Sequence, residues 1–337
     1  MRSAVRKPGS DPEPGNGVNQ GPTPGRVCPS SYRYAPRVFD RAPEIVAETL
    51  YVVGGLYGNV EALHALAELA ARERGPVTLA FNGDFHWFDV EPSDFAAIDA
   101  GVLAHVALRG NVETEIAAEE SGSGCGCAYP VDVSDAEVTR SNEILSRLRA
   151  TARGFPQARA ALARLPMHLV ARVGDARVGL VHGDATSLAG WGFAHDRLDD
   201  PGRARWIASM FRDACVDVFA STHTCLPAFR RFEWEGGMGV VANNGAAGMP
   251  NLQATSHGMV TRISVHARKG AERVFGLRAA GVHVEALSLR YDTERWMHRF
   301  LDSWPDGSAA HASYYRRIAT GPRFTVGQAR PRTVRVA

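Results

Sequence analysis

Short apolar runs punctuate the chain, and many close on glycine, asparagine or aspartate. TLYVVGG (49–55) is the first clear one, and GNVEALHALAELAARER follows after a turn. In that segment Val60, Leu63, Ala67 and Ala70 recur at helical spacing, which predicts an amphipathic helix. VTLAFN, a helix near SDFAAIDAG, and HVALRG continue the rhythm. Strand, helix, strand, helix, strand predicts βαβ units around a buried sheet, hence an α/β fold. Between Glu113 and Met167 the rhythm stops. A flexible Ser/Gly/Cys loop (121–127) precedes two helical segments, DAEVTRSNEILSRLRATARGF and QARAALARLP. Such an insertion is longer than common connections, so residues 113–167 are expected to form a helical cap. MHLVARV and ARVGLVHG then read as a hairpin turning at Gly174-Asp175. A helix around PGRARWIASMFRDA precedes the strand VDVFAS. LPAFRRFEW, MGVVANN, MVTRISV and VHVEALSLRYD are further strands, and DTERWMHRFLDSW is a terminal helix.

Composition sets the limits around this pattern. Residues 1–27, rich in Pro, Gly and polar side chains, are expected to be disordered, with order beginning at Cys28. The main domain is expected over 28–302, followed by a 303–337 extension that ends in a basic tail, GQARPRTVRVA. The chain has 337 residues, and its 45% hydrophobic and 22% charged content is that of a globular protein. A net charge of +2 provides no strong field and argues against a nucleic-acid partner. The five cysteines, Cys28, Cys125, Cys127, Cys215 and Cys225, follow no disulfide-framework spacing. With no apolar leader and no run of about 18 apolar residues, they predict a cytoplasmic protein with no membrane partner.

Four residues that follow apolar runs carry the candidate chemistry: Asp84 after TLAFNG, Asn111 after VALRG, His182 after GLV and His223 after VDVFAST. Two oxygens and two nitrogens suit a hard-to-borderline divalent metal. The ends of strands in α/β folds are where such groups converge.

In order, the punctuated ends read GGLYGN (54–59), NGD (82–84), RGNVE (109–113), VHGD (181–184), STHTC (221–225) and NNGAAGMP (243–250). Over residues 49–265 this resembles the calcineurin-like metallophosphoesterases, particularly their small bacterial phosphodiesterase branch. Those carry DxHGN, GD, GNx[DE], HG, GHTH and NPGSxxxPR in the same order. The resemblance implies a four-layer αββα sandwich, with a two-metal site at the carboxyl ends of the strands. It also implies that one metal position is complete here: Asp84, Asn111, His182 and His223 match all of its ligands. The other keeps only the shared Asp84, because Gly55, Tyr57 and Cys225 stand at its other three ligand positions. Four of seven ligands survive, and chance retention of one complete set would arise about once in 35. One divalent metal (Mn, Fe or Zn) per chain is therefore expected rather than two. Cys225 is either a thiolate ligand of a rebuilt first site, with His86 as a further candidate, or a small buried residue.

In a one-metal mechanism Asp84, freed from bridging, or Asp184 is expected to position the water; the alternatives for Asp184 are orienting a ring and N-capping the following segment. Tyr57, Asn59, Asn243 and Asn244 become candidate substrate contacts. Asn251 stands where the family element ends in Arg. Glu113 is expected to cap a helix or support a ligand. Cys125 and Cys127 are a redox pair, part of a soft metal site with Cys225, or loop residues without a role. The expected function is hydrolysis of a phosphate mono- or diester, in a nucleotide or other phosphorylated small molecule. The alternative is a non-catalytic relative that binds a nucleotide, a phosphorylated ligand or a partner.

Overall fold

The structure, a computed structural model, describes residues 23–119 and 122–336; most of the tail expected to be disordered lies outside these. Two sheets form the centre. One runs β1 (Ile45–Ala47), β5 (His168–Val173), β6 (Ala176–Val181), β7 (Val218–Ser221), β9 (Gly237–Asn243), β8 (Ala228–Trp234), β13 (Arg332–Arg335) in spatial order. The other runs β11 (Arg273–Ala279), β12 (Val282–Leu289), β10 (Gly258–Ser264), β2 (Thr49–Val53), β3 (Thr78–Asn82), β4 (Val106–Leu108). β2, β3 and β4 are parallel, as are β6, β7 and β9. β5 and β6 form the expected antiparallel hairpin.

Period-two alternation divides the strands between separate cores. Leu50 and Val52 of β2 pack between the sheets with Val218 and Ala220 of β7. Tyr51 and Val53 face the outer helices, and Phe219 faces those on the opposite side. The outer layer over the six-stranded sheet contains α1 (Val60–Ala71), α2 (Pro92–Leu103), α3 (Asn111–Ala117), α4 (Asp135–Ala152) and α5 (Pro156–Arg164). The short α6 (His195–Leu198) and the longer α7 (Ala204–Ala214) cover the other sheet. α8 (Thr293–Ser303) and α9 (Ala309–Thr320) join the first layer, and α10 (Val326–Ala329) leads into β13. The result is the four-layer αββα sandwich.

Three expectations need correction. The helices of the 113–167 insertion are not a cap: α4 packs against α2, α3 and α9, and its Ile144, Leu145 and Leu148 enter the outer core. Their apolar stripes are better buried against the sheet's helical layer than over a polar site. Order also begins before Cys28, because the Gly25 N–H donates to the Ser123 carbonyl at 2.7 Å and Arg26 pairs with Asp135. Finally, the basic tail is an edge strand, β13, pairing in parallel with β8. No helix among the described residues is long and apolar enough to cross a membrane.

Candidate metal centre

The turns that follow β2, β3, β4, β6, β7 and β9 converge at one end of the sandwich. Asn82, the last residue of β3, joins the sheets there: its amide donates to the Val181 and Ala220 carbonyls. Gly83 must be glycine, since at φ +78° a Cβ would lie 2.5 Å from the Gly110 nitrogen and 2.7 Å from His182 Nδ1. Glu113 performs both roles expected of it. Its carboxylate accepts the N–H of Gly110, capping α3, and those of Asp84, Phe85 and His86, tying the two turns together.

Asp84, Asn111, His182 and His223 meet at this junction, all at most 5% exposed. His182 Nε2 lies 3.1 Å from Asn111 Oδ1, 3.1 Å from His223 Nδ1 and 3.2 Å from Asp84 Oδ2. Neighbouring ligands on a tetrahedral ion of zinc's size sit about 3.3 Å apart. Every proton on the neutral side chains is turned outward. His182 Nδ1–H donates to the Asn82 carbonyl, His223 Nε2–H to the Cys127 carbonyl, and the Asn111 amide to the Cys125 carbonyl. That arrangement selects the tautomers and leaves four lone pairs facing one point. A cation fits this donor set.

The electrostatics agree. Burial disfavours the Asp84 carboxylate, but His182 outweighs it and holds Asp84 below the usual range. Burial likewise works against a charge on His182, and Asp84 reverses that, raising it. Burial and then the charge on His182 push His223 down to about 3, so its ring stays neutral. A metal ion at this point would compete with protonation of His182.

Beside the quartet is a cavity of about 180 Å³. Asp84, Asn111 and His223 form its floor, and Tyr57, Trp87, Tyr129, Trp191 and Tyr314 supply aromatic walls. Tyr57 (φ +55°), Asp84 (φ +52°) and Cys225 (φ +60°) line it in left-handed conformations that side chains rarely adopt, and such strain gathers at functional sites. At Gly55 (φ +65°) a Cβ would meet the Tyr57 ring at 2.7 Å, so the phenol occupies the space of the missing carboxylate. The Tyr57 hydroxyl is 2.7 Å from Cys225 Sγ. Burial raises Tyr57 well above its usual value, and it raises the Cys225 thiol against the pull of Arg317.

The other candidates lie elsewhere. Cys225 does not join the cluster of potential ligands formed by Asp84, His182 and His223 among the described residues. His86 stacks on Phe95 and bonds Asp89 at 2.6 Å, away from the cavity. Asp184 braces its own turn and does not line the cavity: Oδ1 accepts from Thr186 and Ser187, and Oδ2 from Gly192. Asn59 caps α1 and donates to the Gly248 carbonyl. Asn243 donates to Phe193 and Thr224, and Asn244 donates to Gly54 and Met259. All three asparagines are fully buried and build the turns instead of contacting substrate. Cys125 and Cys127 offer carbonyls that orient Asn111 and His223, and the Cys127 thiol also accepts from the Asn111 amide and lines the cavity.

Trp87, Tyr129, Trp191, Tyr314 and Arg317 reach the cavity without having been singled out in the sequence. The last two ride on α9, whose boundaries are nevertheless written in the chain: Ser308 caps it by accepting from His311, and Gly321 (φ +74°) ends it.

No family model matches the sequence, and no curated protein matches it either. Solved structures do match. A hypothetical protein from Pyrococcus horikoshii is 16% identical with a TM-score of 0.56, over 83% of this chain and 100% of that one. A metallophosphoesterase from Sphaerobacter thermophilus is 16% identical with a TM-score of 0.49, over 82% of this chain and 100% of that one. Two sheets between helical layers, with six motif turns gathered in sequence order at one end, give the chain the calcineurin-like metallophosphoesterase fold.

Proposed function

We propose that the protein is a metal-dependent phosphoesterase working with one divalent ion, Mn, Fe or Zn, on a phosphorylated small molecule or nucleotide. The observation that carries this reading is the quartet of inward lone pairs whose protons are all held outward by backbone carbonyls. A divalent ion there supplies Lewis acidity toward a phosphoryl oxygen and lowers the pKa of water. Asp84 contributes the one anionic ligand and the field that sets the charge of the site. Asn111 and the two histidines add neutral donors, so the ion keeps positive charge to share with an anionic substrate. The aromatic walls exclude bulk water and strengthen those interactions. The monoester–diester choice and a cytoplasmic location belong to the same proposal; the latter rests on the five free cysteines.

One observation favours a binding protein without catalysis. Asp84 is the only carboxylate among the residues that line the cavity, so no second one is placed there as a general base.

Elemental analysis separates the possibilities. The purified protein is expected to hold about one metal per chain, and His182→Ala to hold none. Hydrolysis of p-nitrophenyl phosphate and bis-p-nitrophenyl phosphate by wild type, lost in that variant, supports catalysis. A metal-loaded wild type no faster than His182→Ala on any phosphate ester leaves the binding reading.

A further inference from the structure

Arg317 enters the cavity from α9, outside the six motif turns. Its Nε donates to the Pro250 carbonyl at 3.1 Å and its Nη2 to the Cys225 carbonyl at 2.6 Å. These bonds lock the guanidinium plane beside Cys225, whose thiol it also reaches, and no oxygen or nitrogen among the described residues accepts from Nη1. No carboxylate pairs with Arg317 there either, although other arginines on the molecule find acidic partners. A half-buried guanidinium held rigid and unneutralised against aromatic walls is matched to an anion that arrives from solution.

A second, independent group points to the same ligand. Trp87 lines the cavity, is 3% exposed, and its indole N–H has no hydrogen-bond partner. Buried indole N–H groups normally find one. Trp87 sits in the β3–α2 turn and Arg317 on α9, so two remote elements bring donor-bearing side chains to one small cavity whose floor is three of the four ligands, Asp84, Asn111 and His223.

We infer that Arg317 and Trp87 form an oxyanion half-site, and that with the metal position it selects the dianionic phosphate of a monoester. The inference rests on the proposed metal reading for its third contact. The selection follows from counting oxygens. A phosphomonoester presents three peripheral oxygens, one each for the metal position, Arg317 Nη1 and Trp87 Nε1. A diester has only two non-bridging oxygens and one negative charge, so one donor would face an ester oxygen or nothing. Arg317 thus provides the second positive centre on the side of the cavity where Tyr57 and Cys225 replace metal ligands.

Calorimetric titration of metal-loaded protein with inorganic phosphate and with dimethyl phosphate tests this, alongside metal content and thermal unfolding of each variant. Arg317→Gln is expected to weaken phosphate about 10- to 100-fold and Trp87→Phe about 3- to 10-fold, with metal content unchanged. Dimethyl phosphate is expected to bind wild type at least about tenfold more weakly than phosphate. Unchanged phosphate affinity in folded, metal-loaded Arg317→Gln overturns the half-site and leaves the metal reading intact. Equal affinity for the two anions overturns the monoester selection. A wild type that binds phosphate through Arg317 but takes up no metal overturns the metal reading and keeps the half-site. Should Arg317→Gln not fold, Trp87→Phe decides by the same criterion.

Discussion

At position 55 the backbone holds φ at +65°, and any Cβ placed there meets the Tyr57 ring. Tyr57 is itself left-handed, a costly conformation for a bulky residue, and its hydroxyl is satisfied by Cys225. The three departures from the family's ligand pattern thus touch one another, and Gly55 cannot be reversed while the Tyr57 ring stays in place. Gly55→Asp is expected to leave metal content at one per chain and to cost about 1–3 kcal/mol through strain and overpacking, read by chemical denaturation. Gly55→Asp with Tyr57→His and Cys225→His removes the ring and the thiol together, and only that combination is expected to move metal content toward two. A second metal in the single variant would mean that the phenol yields easily and does not define the site. Residue by residue, the meeting of Asp84, Asn111, His182 and His223 was legible in the sequence because each follows an apolar run. The packing of the candidate substrate asparagines was not legible for a related reason: the glycines beside Asn243 and Asn244 suggest an open turn. Whether an amide faces the cavity or braces the turn depends on partners such as Phe193 and Met259, which are distant in sequence.

Among the elements, the loop between α3 and α4 has the largest effect on the site for its size. Two of its carbonyls, from Cys125 and Cys127, fix Asn111 and His223, and Trp191 bonds the Cys127 carbonyl as well. Alternating glycines make this possible. Gly124 (φ +63°) and Gly126 (φ +66°) let successive carbonyls turn toward the ligands, and a Cβ at 126 would lie 2.5 Å from the Tyr32 hydroxyl and 2.9 Å from Glu115 Cγ. Gly126→Ala should therefore shift both carbonyls. It is expected to weaken metal binding about 10-fold or more, as losing a ligand's outer partner does, and to cost about 1–3 kcal/mol. Competition with a metallochromic chelator reads the first effect; a melt reads the second. Metal affinity equal to wild type would show that the carbonyls do not orient the ligands. The strands and main helices were readable from alternation and helical spacing, because each signal is local. The layer in which α4 lies was not, since an amphipathic stripe states that a helix is buried on one side without naming the surface. The strand character of the tail was also hidden: β13 exists only because β8 offers an open edge.

Across the whole molecule, charge is buried in an organised way far from the site. Arg262, on β10, is 1% exposed, and it pairs with Glu73 after α1 and with Glu285 on β12. Arg268 and the Tyr51 hydroxyl also bond Glu73, so one carboxylate joins two strands of the six-stranded sheet to the end of a helix. Burial alone would raise the pKa of Glu73. The hydrogen bonds from Arg262, Tyr51 and Arg268 outweigh it and bring it down to about 2. In the unfolded chain the same group titrates near its usual value of 4.5. Above pH 4.5 both states are ionised, and the full stabilisation is present. As pH falls from about 4.5 toward 2 the unfolded state takes up the proton first, so stability is lost across that window and is gone once the folded group protonates. Other carboxylates titrate there too, so the measurement is a difference. Denaturant midpoints for wild type and Glu73→Gln are expected to differ by on the order of 2 kcal/mol at pH 6 and to converge only as pH approaches about 2. Metal at the strand ends should not alter that convergence, because the network and the quartet share no residue. A gap that stays constant with pH would mean that Glu73 acts through its shape and packing, and that the sheet does not depend on its charge.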